Sequence, residues 1–145
     1  VTLWAVAQKR GVAAAELIPQ AIRGYQRLID YLQSNGKSRI VLFGSILPTV
    51  SDEQQTFQLE PLRRNASADQ RQRTALALAF NQQLQVLAKD AGLDYLDMTQ
   101  ETLDEKTGLV NQAFVIRDRI DHHQSQAMIA PFGCAKLLET SALNG

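Results

Sequence analysis

Arg39-Ile40-Val41-Leu42-Phe43-Gly44-Ser45-Ile46-Leu47 is a continuous apolar run with β-branched members, closed by Pro48. A run without polar alternation predicts a strand buried on both faces, and such strands belong to parallel sheets covered by helices on each side. Pro48 has no amide hydrogen, so ladder pairing stops there. These ten residues argue for an α/β fold.

On the N-terminal side, Leu17, Ile18, Ile22, Tyr25, Leu28, Ile29 and Leu32 recur at three- and four-residue spacing across residues 13–34, the stripe of a helix packed on one face. Asn35-Gly36 ends it, because both residues tolerate the left-handed conformation that closes a helix. The opening Val1-Thr2-Leu3-Trp4 reads as strand-like, with no preceding turn or cap, and predicts further sequence upstream.

On the C-terminal side, residues 49–67 show no sustained period, and a long loop leaving the end of a strand predicts a lid or substrate loop. Ser67, as N-cap with Gln70 three residues on, opens a second helix whose face is Leu76, Phe80, Leu84, Leu87 and Ala91, ending at Gly92. Residues 93–98 predict a second strand, 99–103 a helical turn, and Lys106-Thr107-Gly108 a turn before the short apolar stretch 113–116. Met128, Ile129, Phe132, Ala135, Leu138 and Leu143 mark a last helix over 125–143, with Pro131 either kinking it or starting its regular part.

Helices alternating with apolar strands imply an α/β sheet with right-handed crossovers. Two strands with three long helices leave sheet edges and helix faces uncovered, so residues 1–145 are expected to form a single α/β domain that is the later part of a larger unit.

The 145 residues are 45% apolar and 21% charged, which excludes a disordered chain. Lys plus Arg number 15 and Asp plus Glu 15, so no net field favours nucleic acid or an acidic membrane surface. Cys134 is the only cysteine and can form neither an internal disulfide nor a zinc knuckle. No apolar run reaches the roughly 18–20 residues of a membrane span.

The densest polar constellation is Arg117-Asp118-Arg119-Ile120-Asp121-His122-His123-Gln124, with both histidines of the chain beside two aspartates. A histidine backed by a carboxylate can be a general base, since the carboxylate fixes the tautomer and stabilises the imidazolium. Asp with His can also bind a divalent metal, and a helix entry with exposed histidines would have the same composition.

The order of parts resembles the C-terminal portion of an SGNH hydrolase, the GDSL esterase/lipase superfamily. The resemblance rests on the Tyr25-Gln26-Arg27-Leu28-Ile29 helix, the run 40–46 closed by Leu47-Pro48-Thr49, and a helix carrying Phe80-Asn81 and Leu84. Leu93-Asp94-Tyr95-Leu96-Asp97, the Gly108-Leu109 turn and an Asp/His loop opening the last helix follow. It implies a three-layer α/β/α domain with a mostly parallel, flavodoxin-like sheet, here without its N-terminal strand–helix units. In that family a Ser from a Gly-Asp-Ser block attacks an ester carbonyl, while a Gly and an Asn complete the oxyanion hole. None of those blocks is visible here, and Ser45 lies inside the apolar strand, as a core or strand-end serine.

The resemblance therefore implies a serine ester hydrolase of esterase, lipase or acetylhydrolase type in which this chain supplies the Asp and His of the triad and part of the substrate wall. Asp118 and His122 are the preferred pair: the five-residue step from His122 to Ala127 resembles the family's step from His to a small residue. Their own spacing of four differs from the family's three. Asp121 and His123 are the alternates, otherwise a helix-entry charge and a wall residue. The implied substrate is a small-molecule ester, an acylated sugar or a lipid; no metal or cofactor is needed, and the missing N-terminal segment or a second copy is the expected partner.

Two other readings compete. A non-catalytic α/β binding fragment would associate through an uncovered sheet edge or the apolar face around Trp4. A DHH-type phosphoesterase is suggested by Ile120-Asp121-His122-His123, where Asp and His would bind manganese, though no Asp-x-Asp pattern precedes it. Asn81, among apolar neighbours, is expected to be buried and bonded to a nearby loop, and Cys134 to be a small packed residue. Arg63, Arg64, Arg71 and Arg73 read as a solvated helix entry.

Overall fold

A computed structural model describes residues 2–37, 39–54, 68–119, 121 and 123–143. The chain opens with helix α1 (Thr2–Arg10), not with a strand. Leu3, Trp4 and Ala7 share one helical face, and they pack on Ala14, Leu17, Ile18 and Leu76. Four residues are too few to show that period, so the β-branched start outweighed it in the sequence. A short 3₁₀ turn (Ala14–Leu17) leads into α2 (Ile18–Ser34), which has a proline in its first turn. Gly36, at φ 74°, closes α2 with bonds from its own amide to Gln33 and from Lys37 to Leu32.

Strand β1 (Val41–Phe43) runs parallel to β2 (Asp94–Leu96), with Leu42 opposite Tyr95. Helix α3 (Gln70–Asp90) lies between them in sequence, so β1, α3 and β2 form a βαβ unit. The nine-residue apolar run thus contributes only three strand residues. Nor is it buried on both faces: Leu42 is 7% exposed and Phe43 47%. Leu42 packs with Ile29, Leu84, Leu87 and Ala88 of α2 and α3. Beyond Gly44 the backbone leaves the ladder because a side chain, Asn81, takes the hydrogen bonds of Ser45.

Helix α3 begins at Gln70 with Asp69 as its N-cap; Ser67 lies outside the described residues. The Asp69 carboxylate accepts the Gln72 amide at 2.7 Å, and the Gln72 side chain accepts the Asp69 amide at 3.0 Å. Asp69→Ala is expected to cost about 0.5–2 kcal/mol, read by urea denaturation, while Asp69→Asn retains most of the stability. A loss within error for Asp69→Ala would contradict the cap.

After β2 come the one-turn helix α4 (Thr99–Thr102) and a small antiparallel pair, β3 (Leu103–Asp104) with β4 (Leu109–Val110). The stretch 113–116 is a 3₁₀ turn (Gln112–Phe114) followed by a bridge from Val115 to Gln124. Helix α5 (Gln126–Leu143) contacts β2, and Pro131 lies inside it. Its apolar spacing is only partly used: Phe132 is exposed, Leu138 is 70% exposed, and Cys134 is exposed rather than packed. The class is α/β with a small parallel sheet, and among the described residues no helix is long and apolar enough to cross a membrane.

Candidate active site

The C-terminal end of β1 is held by one amide side chain. Asn81, 3% exposed on α3, accepts the Ser45 amide at 2.7 Å through Oδ1 and donates to the Ser45 carbonyl at 2.9 Å through Nδ2. This is the bonding to a neighbouring loop that its apolar surroundings predicted, and it extends the ladder where no strand is available. Tyr95 donates its hydroxyl to the Asn81 carbonyl at 3.1 Å, and Asp97 Oδ1 accepts the Thr99 amide at 2.9 Å and hydroxyl at 2.6 Å. Burial, then the nearby Asp97 charge, pushes the Tyr95 phenol well above its ordinary range, so it stays a proton donor.

From Ser45 to Val50 the chain forms one wall of a cavity of about 480 Å³, completed by Tyr25, Arg73, Leu76, Phe80 and His123 among others. Ser45 is exposed on that wall, with its amide and carbonyl both engaged by Asn81. Thr49 carries the link to the Asp/His loop, donating its hydroxyl to the Asp121 carbonyl at 2.7 Å.

Asp121 then organises the loop. Its Oδ1 accepts the His123 amide at 2.9 Å and lies 2.8 Å from His123 Nδ1, while its Oδ2 accepts Arg119 Nε at 3.0 Å. The Asp121 side chain is 16% exposed and that of His123 63%. The His123 amide, then its ring, then Arg119 hold the Asp121 carboxyl well below the usual carboxylate range. A depressed pKa contributes stability above the unfolded value of about 3.9, lost only as pH falls through the lowered folded value. The carboxyl resonance of Asp121 in a pH titration is accordingly expected to move well below pH 3.9. A midpoint at the ordinary value would contradict this loop geometry.

The structure thus joins Asp121 to His123. Asp118 is exposed and makes no hydrogen bond or ion pair with any described residue, and His122 lies outside the described residues. Among the described residues no three His, Cys, Asp or Glu side chains gather as metal ligands.

Arg73 is the residue that sequence reading misplaced. It is 2% exposed, not solvated, with Nη2 donating to the Val50 carbonyl at 2.7 Å and paired with Asp52 at 3.1 Å. The signal was available: counting back three from Leu76 and seven from Phe80 puts position 73 on the buried stripe of α3. Arg63 and Arg64 lie outside the described residues. Comparison with protein-family models, curated proteins and solved structures gave no match.

Proposed function

We propose that this chain is the Asp- and His-bearing part of a serine ester hydrolase of SGNH type, with Asp121 and His123 as its working pair. The observation that carries the reading is the 2.8 Å contact from His123 Nδ1 to Asp121 Oδ1, made on the wall of a cavity at the C-terminal end of a parallel strand. Ligand sites of open α/β sheets sit at that end. With Nδ1 on the carboxylate, proton exchange with a nucleophile runs through Nε2. In this reading the two-stranded parallel sheet is part of a three-layer α/β/α domain, and the nucleophilic serine and oxyanion donors come from polypeptide outside these residues.

His123 takes the proton from the serine hydroxyl as it attacks the ester carbonyl, then returns it to the departing alkoxide. Asp121 fixes the ring and stabilises the imidazolium formed between those two transfers. The apolar side of the cavity, with Leu47, Leu76 and Phe80, suits the acyl part of a small ester, an acylated sugar or a lipid.

The test uses the polypeptide that carries this chain together with its serine block, acting on a chromogenic short-chain ester. His123→Ala is expected to abolish most turnover and His122→Ala to spare it, and chelator to have no effect. The reverse order would move the shuttle to Asp118 and His122. Full activity of both variants would end the hydrolase reading.

A further inference from the structure

The cavity wall contains a cation that ester hydrolysis does not use. Arg73 spends Nη2 on Val50 and Asp52, but its Nε and Nη1 are closed to water and have no hydrogen-bond partner among the described residues. A guanidinium has five N–H donors in a fixed fork, and leaving some of them buried and unpaired is costly. An acceptor that reached these two nitrogens would relieve that cost. The wall is mostly apolar, with Leu3, Leu76, Ala77 and Phe80 among its residues, and Ser45, Thr49 and His123 add polar groups to it. The volume of about 480 Å³ falls within the range of small-molecule sites.

We propose that this cavity binds an amphipathic monocarboxylate, with its head group on the unspent donors of Arg73 and its hydrocarbon along Leu76 and Phe80. One buried cation beside a long apolar surface selects a ligand with one charged end. The head group carries a single charge because the carboxylate of Asp52 already pairs with Arg73 at 3.1 Å; a dianionic phosphate would be repelled by it. Since the two nitrogens do not touch water, the head group parts the wall to reach them, and binding is accompanied by local rearrangement.

Calorimetric titration of the intact protein with octanoate, octan-1-ol and octyl phosphate tests this. Octanoate is expected to bind at least about tenfold more tightly than octanol, a difference of about 1.4 kcal/mol, and more tightly than octyl phosphate. Arg73→Met should reduce octanoate to the level of the alcohol. Asp52→Asn, which removes the competing charge and still accepts the Gln70 amide, should tighten octanoate; it decides the matter if Arg73→Met does not fold. Octanoate binding no better than octanol, octyl phosphate binding best, or no tightening in Asp52→Asn overturns the proposal. No ester is turned over in this titration, so its outcome is separate from the assignment of Asp121 and His123.

Discussion

His123→Ala is expected to slow ester turnover by about 10²- to 10⁴-fold, the range that a positioned general acid–base supplies. The loss falls on kcat and leaves KM nearly unchanged, because the ring exchanges protons only as the reaction proceeds. Asp121→Asn should cost a similar factor. The carboxamide can still meet Nδ1, but it carries no charge to stabilise the imidazolium, and its amide end can favour the wrong tautomer. Removing both groups is expected to cost little more than removing His123 alone, because the carboxylate acts through the ring. Multiplicative losses in the double variant would show that Asp121 does something other than orient His123. Steady-state rates on one chromogenic ester measure all three variants.

Gly44→Ala is expected to destabilise the fold by about 2–5 kcal/mol, combining overpacking with a lost buried hydrogen bond. A Cβ at position 44 would lie 2.8 Å from Tyr95 Oη, 3.2 Å from Asp97 Oδ1 and 3.3 Å from Asn81 Nδ2. Tyr95 cannot retreat without giving up the Asn81 carbonyl, and Asn81 cannot shift without releasing Ser45. Gly24→Ala is the control. It lies within α2, nothing stands within 4 Å of its added Cβ, and helix propensity makes it stabilising by about 0.5–1 kcal/mol. Tyr95→Phe should partly rescue Gly44→Ala by removing the nearest atom. Urea denaturation reads each variant, and equal stability of the two alanine variants would contradict the packing at the end of β1.

The parts legible in the sequence are those that local chemistry dictates. The period of α2 and α3 shows in Ile18, Ile29, Leu76, Leu84 and Leu87, all of which are buried, whereas Tyr25 and Leu28, read on the same stripe of α2, are 38% and 52% exposed. The left-handed glycines at positions 36 and 92 close those helices where the sequence placed their ends. Most of what was not legible depends on neighbours distant in sequence. An apolar run reads the same whether one face of its strand is covered or both, so the exposure of Phe43 beside buried Leu42 could not be seen in it. The cap of α3 moved from Ser67 to Asp69 because two acceptors, each with a glutamine placed for a capping box, stood two residues apart. In the Asp/His loop, composition marked the segment and left the pairing open. Thr49, about seventy positions away, anchors the Asp121 backbone, and Asp121 then turns its carboxylate onto His123. Spacing counted along the chain does not record that anchor.

The most direct test of the proton shuttle is the rate at which a fluorophosphonate modifies the nucleophilic serine. It is measured at one pH in the parent protein and in His123→Ala, with both shown to be folded by thermal denaturation. A fall of at least about 10²-fold in the variant is predicted, since the serine then attacks without a base. Equal rates in the two proteins would contradict the placing of His123 beside the nucleophile.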